Sequence, residues 1–91
     1  MNSRTTTRFR ELLAALPVHV REQARNAYRL FRQNPSHPGV RFKQVHPDPP
    51  IYSARVGIGH RAVGALEGDT VIWFWIGSHA DYDKLLEQLK L

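Results

Sequence analysis

Apolar side chains recur along the first third of the chain with a helical period. Phe9, Leu12, Leu13 and Leu16 fall at i, i+3, i+4 and i+7, one face of a helix, and Thr7 is its expected N-cap. Residues 3–7 read alternatively as a short edge strand leading into that helix. Pro17 disfavours helical geometry at Leu16 and suits the first position of a second helix, expected over 17–33. Along it Val20, Ala24, Ala27, Tyr28 and Phe31 cluster within an arc of about 100°, the face to be buried. Arg21, Arg25, Arg29 and Arg32 occupy an adjacent arc of about 80°. Asn34 and Pro35 end the helix.

The period then changes. Residues 35–50 hold five of the six prolines, which leaves room only for an extended stretch from Val40 to Val45. Arg41, Lys43 and His46 are expected on one side of it. From Ile51 onward the pattern is β, with strands at 51–56, 60–67 and 70–77 and turns at Gly57-Ile58-Gly59 and Gly68-Asp69. The last run is apolar on both faces, which predicts a central, covered strand. Trp73 and Trp75 are expected on one face of it, as core rather than as a base-stacking platform. Asp81 to Leu91 predicts a closing helix with Tyr82, Leu85, Leu86 and Leu89 inward and Ser78 or Asp81 as cap. The expected architecture is α+β: one domain over 1–91, two N-terminal helices on a three- to four-stranded antiparallel sheet, and a short C-terminal helix.

The turns also predict a register. A three-residue loop at 57–59 sets Val56 against His60 and Arg55 against Arg61. A two-residue loop at 68–69 sets Glu67 against Thr70 and Arg61 against Ile76. Gly77, Ser78 and His79 then leave the sheet at the arginine end. Two arginines directly opposite one another repel. Such a pair is rationalised by an anion between them, and a nearby histidine is suited to moving a proton. Phosphoryl chemistry is one reading of this set; arginines splayed into solvent is the other.

Charge sharpens the picture. Thirteen Lys+Arg against eight Asp+Glu give +5, and ten of the thirteen are arginine, the residue suited to bidentate phosphate or carboxylate contacts. Residues 1–61 carry eleven Lys+Arg and three acids, net +8, and residues 62–91 two and five, net −3. A nucleic acid or an acidic protein is the implied partner. The arginine stripe reads either as a solvated face or as a docking strip. With no cysteine, disulfides, Cys-ligated zinc and thiol chemistry are excluded. No two histidines have metal-binding helical spacing, and neither a Gly-rich phosphate loop nor a GxSxG motif occurs. His60 is expected on the sheet face opposite Arg61, and His19, His37 and His46 on the surface or in loops. No targeting or membrane segment is evident, so a cytoplasmic location is expected.

Several segments stand together in a family-like order. They are Phe9 to Pro17 and the arginine-striped helix, Tyr52 to Arg55, Gly59 to Arg61 opening the next strand, and Ile76 to His79 before an acidic helix start holding Tyr82. Over nearly its whole length the chain resembles the RelE/ParE superfamily of type II toxins from bacterial toxin–antitoxin pairs. The resemblance implies a small toxin neutralised by an acidic antitoxin in a hetero-oligomer. In its RelE-like branch it implies mRNA cleavage, usually at the ribosome, by attack of a 2′-hydroxyl and without metal or cofactor. Carried over by position, Arg55, Arg61, His79 and Tyr82 become the catalytic candidates. Arg21, Arg25, Arg29, Arg32, Arg41, Lys43 and His60 become candidates for gripping RNA or ribosome. Ser53 departs from the pattern, standing where well-known nucleases of the branch carry lysine. The ParE branch has the same fold and acts on DNA gyrase instead, and a basic interaction module without catalysis is a third reading.

Overall fold

The chain folds around one five-stranded sheet, seen in a computed structural model that describes residues 1–90. The elements in chain order are β1 (Asn2–Thr5), α1 (Thr7–Ala14), α2 (Val18–Gln33), β2 (Lys43–His46), β3 (Ile51–Val56), β4 (His60–Glu67), β5 (Thr70–Ser78) and α3 (His79–Leu89). The strand order is β1-β5-β4-β3-β2. Helices α1 and α2 cover one face, where Val20, Phe31, Val40, Ala54, Val56, Ala62, Val71, Trp73 and Ile76 form the larger core. Helix α3 covers part of the other, where Tyr82 packs on Ile51 and Val63, with Leu85, Leu86 and Leu89 beside it. The inward face expected of α3 is therefore the one observed; Leu91, its expected last residue, lies outside the described residues.

The sheet is mixed rather than purely antiparallel. The edge-strand reading of the N-terminus is realised as β1, which pairs in parallel with β5 from Asn2↔Thr70 to Thr5↔Trp73. Both helices and three strands lie between these two in sequence, so the chain has the length a parallel crossover needs. The ladder continues one residue past β1, from Thr6 N–H to the Trp73 carbonyl at 3.0 Å. That bond fixes Thr6 in extended geometry, and Thr6, not Thr7, caps α1: its Oγ1 accepts from the Phe9 N–H at 3.1 Å. Pro17 likewise sits one position earlier than expected, as the residue before α2, its carbonyl accepting from Val20 and Arg21. Tyr28 is the one departure from the predicted buried face: it is 44% exposed, with the Arg32 guanidinium 5.9 Å above its ring.

The extended stretch in the connector begins later than predicted. Val40 is buried and Arg41 takes φ +48, so the chain bends there and β2 runs only from Lys43. A one-residue irregularity at Val45 then lets Lys43 face Ser53 and His46 face Ile51, on the same side of the sheet.

The β3–β4 register is the predicted one, Val56↔His60 and Arg55↔Arg61. Gly57 takes φ +59 in that turn and Gly68 φ +58 in the next, values open to glycine at little cost. In β4–β5 the prediction holds at Glu67↔Thr70 and then fails. Gly64 pairs with Trp73 and Val63 with Trp75, so Phe74 is an extra residue on β5. Beyond this bulge Arg61 faces Gly77, not Ile76, and Trp73 and Trp75 point to opposite faces and join different cores. Gly64 marks the close approach: a Cβ there would lie 2.6 Å from Val71 Cγ1 and 3.0 Å from Trp73 Cε3. Gly64→Ala should accordingly destabilise the chain by about 1–3 kcal/mol, as overpacked cores do, and lower the thermal midpoint by several degrees. A midpoint equal to wild type in calorimetry would show that the bulge is not closely packed.

Candidate functional site

Strands β3 and β4 and the start of α3 converge at one end of the sheet. Alternation along β3 puts Arg55 on the same face as Ser53, and the register puts Arg61 beside it on β4. Both thus lie on the α3 side. Arg55 Nε donates to the Gly57 carbonyl at 3.0 Å, and an Arg61 terminal nitrogen to the His60 carbonyl at 2.8 Å. These bonds hold the guanidinium groups near their own backbone but do not neutralise them. Among the described residues neither arginine reaches a carboxylate; the one acid–base contact is between His79 and Asp83. Partial burial, then the charge of Arg55 and further that of Arg41, press the Arg61 guanidinium below its ordinary pKa, while Tyr82 and Asp83 pull the other way. Arg41 therefore belongs to the same electrostatic neighbourhood, reaching it from the bend before β2.

His79 is brought to this place by three constraints. The backbone pairs His60 with Ser78, the His79 N–H donates to the Gly59 carbonyl at 2.8 Å, and Ser78 caps α3 through a 3.2 Å bond from the Asp81 N–H. The His79 side chain is half exposed, and its Nδ1 lies 3.3 Å from Asp83 Oδ2, one helical turn on. Asp83 was not singled out from the sequence, although an i, i+4 His–Asp spacing on a helix is its signal. The Tyr82 ring stands edge-on to His79, centroids 5.8 Å apart. Tyr82 is 4% exposed, and its hydroxyl donates to Ser53 Oγ at 3.0 Å, itself 1% exposed.

The remaining candidates divide. Lys43 faces Ser53 across the β2–β3 pair, on the side of the arginine pair. His60 lies on the other face, as its parity predicts, in a shallow cleft between α1 and α3 with Leu16, Trp75 and Lys84. The stripe of α2 is also separated from Arg55 and Arg61, because α2 covers the opposite face of the sheet. Its first two members, Arg21 and Arg25, join Arg4 and Tyr28 in lining a cavity of about 520 Å³ whose floor is Ala54, Val56, Ala62 and Trp73. Arg29 is held by the Asn26 side chain at 2.6 Å, and Arg32 covers Tyr28.

Residues 18–84, spanning most of this framework, match the ParE-like toxin domain family. The chain belongs to that family, within the RelE/ParE toxin superfamily. No curated protein matches it in sequence. Its fold is similar to that of the RelB–RelE antitoxin–toxin complex from Methanococcus jannaschii (TM-score 0.71, 18% identity, covering 90% of this chain and 96% of the other). It is also similar to the archaeal RelE–RelB complex from Pyrococcus horikoshii (0.68, 11%, 85% and 92%) and to a copper-bound mutant toxin from Helicobacter pylori (0.58, 16%, 89% and 97%). At these identities the likeness is one of fold.

As members of a toxin domain, Arg55 and Arg61 form a cationic pair with an electrostatic cost. Cross-strand like charges destabilise by a few tenths to about 1 kcal/mol. Inorganic phosphate should therefore raise the thermal midpoint of the wild-type chain, by about 1.4 kcal/mol of linkage at ten times its Kd. The Arg55→Gln/Arg61→Gln chain should be more stable at low salt and lose the phosphate-specific part of that response. Equal phosphate dependence in both chains would show that no anion binds between the arginines.

Proposed function

We propose that this chain is the toxin of a type II toxin–antitoxin pair and that it stops translation by cutting mRNA. The observation that carries this reading is the Arg55–Arg61 pair, opposed across two strands and, among the described residues, without a carboxylate partner, at the end of the sheet where His79 begins α3. Two cations of this kind bind a phosphodiester and stabilise the extra negative charge of a pentacoordinate phosphorus. Arg41 and Lys43 extend the grip along the backbone. His79 takes the 2′-hydroxyl proton as the O2′–P bond forms and the P–O5′ bond breaks. The leaving 5′ oxygen takes a proton from the resulting imidazolium, giving a 2′,3′-cyclic phosphate and a 5′-hydroxyl. Tyr82, buried against Ser53, supports the His79 ring rather than touching RNA.

The antitoxin is expected to be acidic and to lay an amphipathic segment into the cavity under α2. That space has an apolar floor and an arginine rim at Arg4, Arg21 and Arg25. The two archaeal relatives were solved as toxin–antitoxin complexes, which supports a partner of this type.

A second reading, poisoning of DNA gyrase, is favoured by the family match to ParE-like toxin domains. Induced expression followed by primer extension separates the two. RNA cleavage predicts new 5′ ends within transcripts, and growth arrest relieved in Arg61→Ala and His79→Ala chains, with cleavage down by about 10²-fold or more. Intact transcripts together with DNA-damage signalling would replace this reading with the gyrase one.

A further inference from the structure

We infer that Asp83 is the positioning residue of His79, holding the proton on Nδ1 so that Nε2 presents its lone pair to the substrate. This rests on the reading of His79 as the group that takes the 2′-hydroxyl proton. The geometry assigns the role to one nitrogen. The Asp83 Oδ2 lies 3.3 Å from Nδ1, and the two residues are one turn apart on the same helix. A carboxylate accepts and does not donate, so drawing this contact into a hydrogen bond requires that a neutral imidazole carry its single proton on Nδ1. Tyr82 closes one side of the ring at 5.8 Å and is itself fixed by its bond to Ser53. The main chain of His79 is pinned to Gly59, and Nε2 is the nitrogen not engaged by Asp83.

Asp83 and Tyr82 share the helix of His79 and both act electrostatically on Arg61 of β4, as do Arg55 of β3 and Arg41 from the bend before β2. Asp83 is the negative group among them. The leaving 5′ oxygen takes from Nε2 the proton that His79 removed from the 2′ oxygen. Both members of the pair are half or more exposed, so the contact itself adds little to folding stability. Its effect is on tautomer and orientation, as in other carboxylate–imidazole pairs.

The test reads tautomer and rate separately. Long-range proton–nitrogen NMR of the purified chain reports which His79 nitrogen carries the proton. Wild type should show the Nδ1–H form, Asp83→Ala should move to the Nε2–H form that neutral histidine prefers in water, and Asp83→Glu should restore part of the Nδ1–H signal. With mRNA-programmed ribosomes as substrate, Asp83→Ala should lower kcat by about ten- to a hundred-fold with KM unchanged, less than the ~10²–10⁴ of a whole general base. Added to His79→Ala it should cost nothing more. The thermal midpoint should stay at the wild-type value. If His79→Ala cuts as well as wild type, the site reading itself is lost, and the catalytic role of Asp83 with it. If His79→Ala is inactive while Asp83→Ala keeps both the Nδ1–H signature and the wild-type rate, only the role given to Asp83 is overturned.

Discussion

Strand β4 is the constraint on which the molecule depends. It lies in the middle of the sheet, paired with β3 along its first six residues and with β5 along its whole length. Its residues also alternate between the two cores: Ala62 faces α1 and α2, and Val63 faces α3. A slip of one residue would turn each of these to the wrong side, so burial specifies the pairing. The Arg55–Arg61 opposition is a consequence of that specification. Local electrostatics disfavours it, and the apolar pairs further along the same strands, Ala54↔Ala62 and Ile51↔Ala65, impose it.

The same logic places the proton carrier. His79 has no core of its own to anchor it; it is the first residue after β5, and β5 is held by β4. The tight turn at Gly57 and the bond from His79 to the Gly59 carbonyl bring the strand end and the helix start together. Tyr82 then fastens α3 to the sheet from below. Cation pair and histidine are thus contributed by three separate elements whose relative positions rest on one ladder.

Periodicity made the elements legible because each has a one-sided or two-sided apolar pattern long enough to be unambiguous: Leu12 and Leu13 on α1, the Val71 to Ile76 run on β5, Tyr82 to Leu89 on α3. The hairpin turns made the Arg55–Arg61 pairing legible too, since a three-residue loop leaves a single register. The bulge at Phe74 was not legible. It sits where Gly64 leaves no room for a side chain against Val71 and Trp73, a matter of tertiary packing that no local pattern announces. The parallel β1 pairing was hidden for a similar reason, its partner being some seventy residues away. Of the site, the cations could be read from the strand register, whereas the His79–Asp83 contact required knowing where α3 begins. Arg41 joined the field through a left-handed bend that an arginine's sequence context does not predict.

The Ser53–Tyr82 bond has a consequence for how such a site can change over time. Ser53 is enclosed, with its oxygen held by the phenol of α3. A lysine introduced there alone would have to leave its ammonium in that enclosure, at a desolvation cost no single contact recovers, or displace the tyrosine and loosen α3. In this chain a change at position 53 is therefore felt at position 82. With that bond in place position 53 is closed to a charge, and positive charge reaches this face from the β2 side, where Lys43 stands across from Ser53.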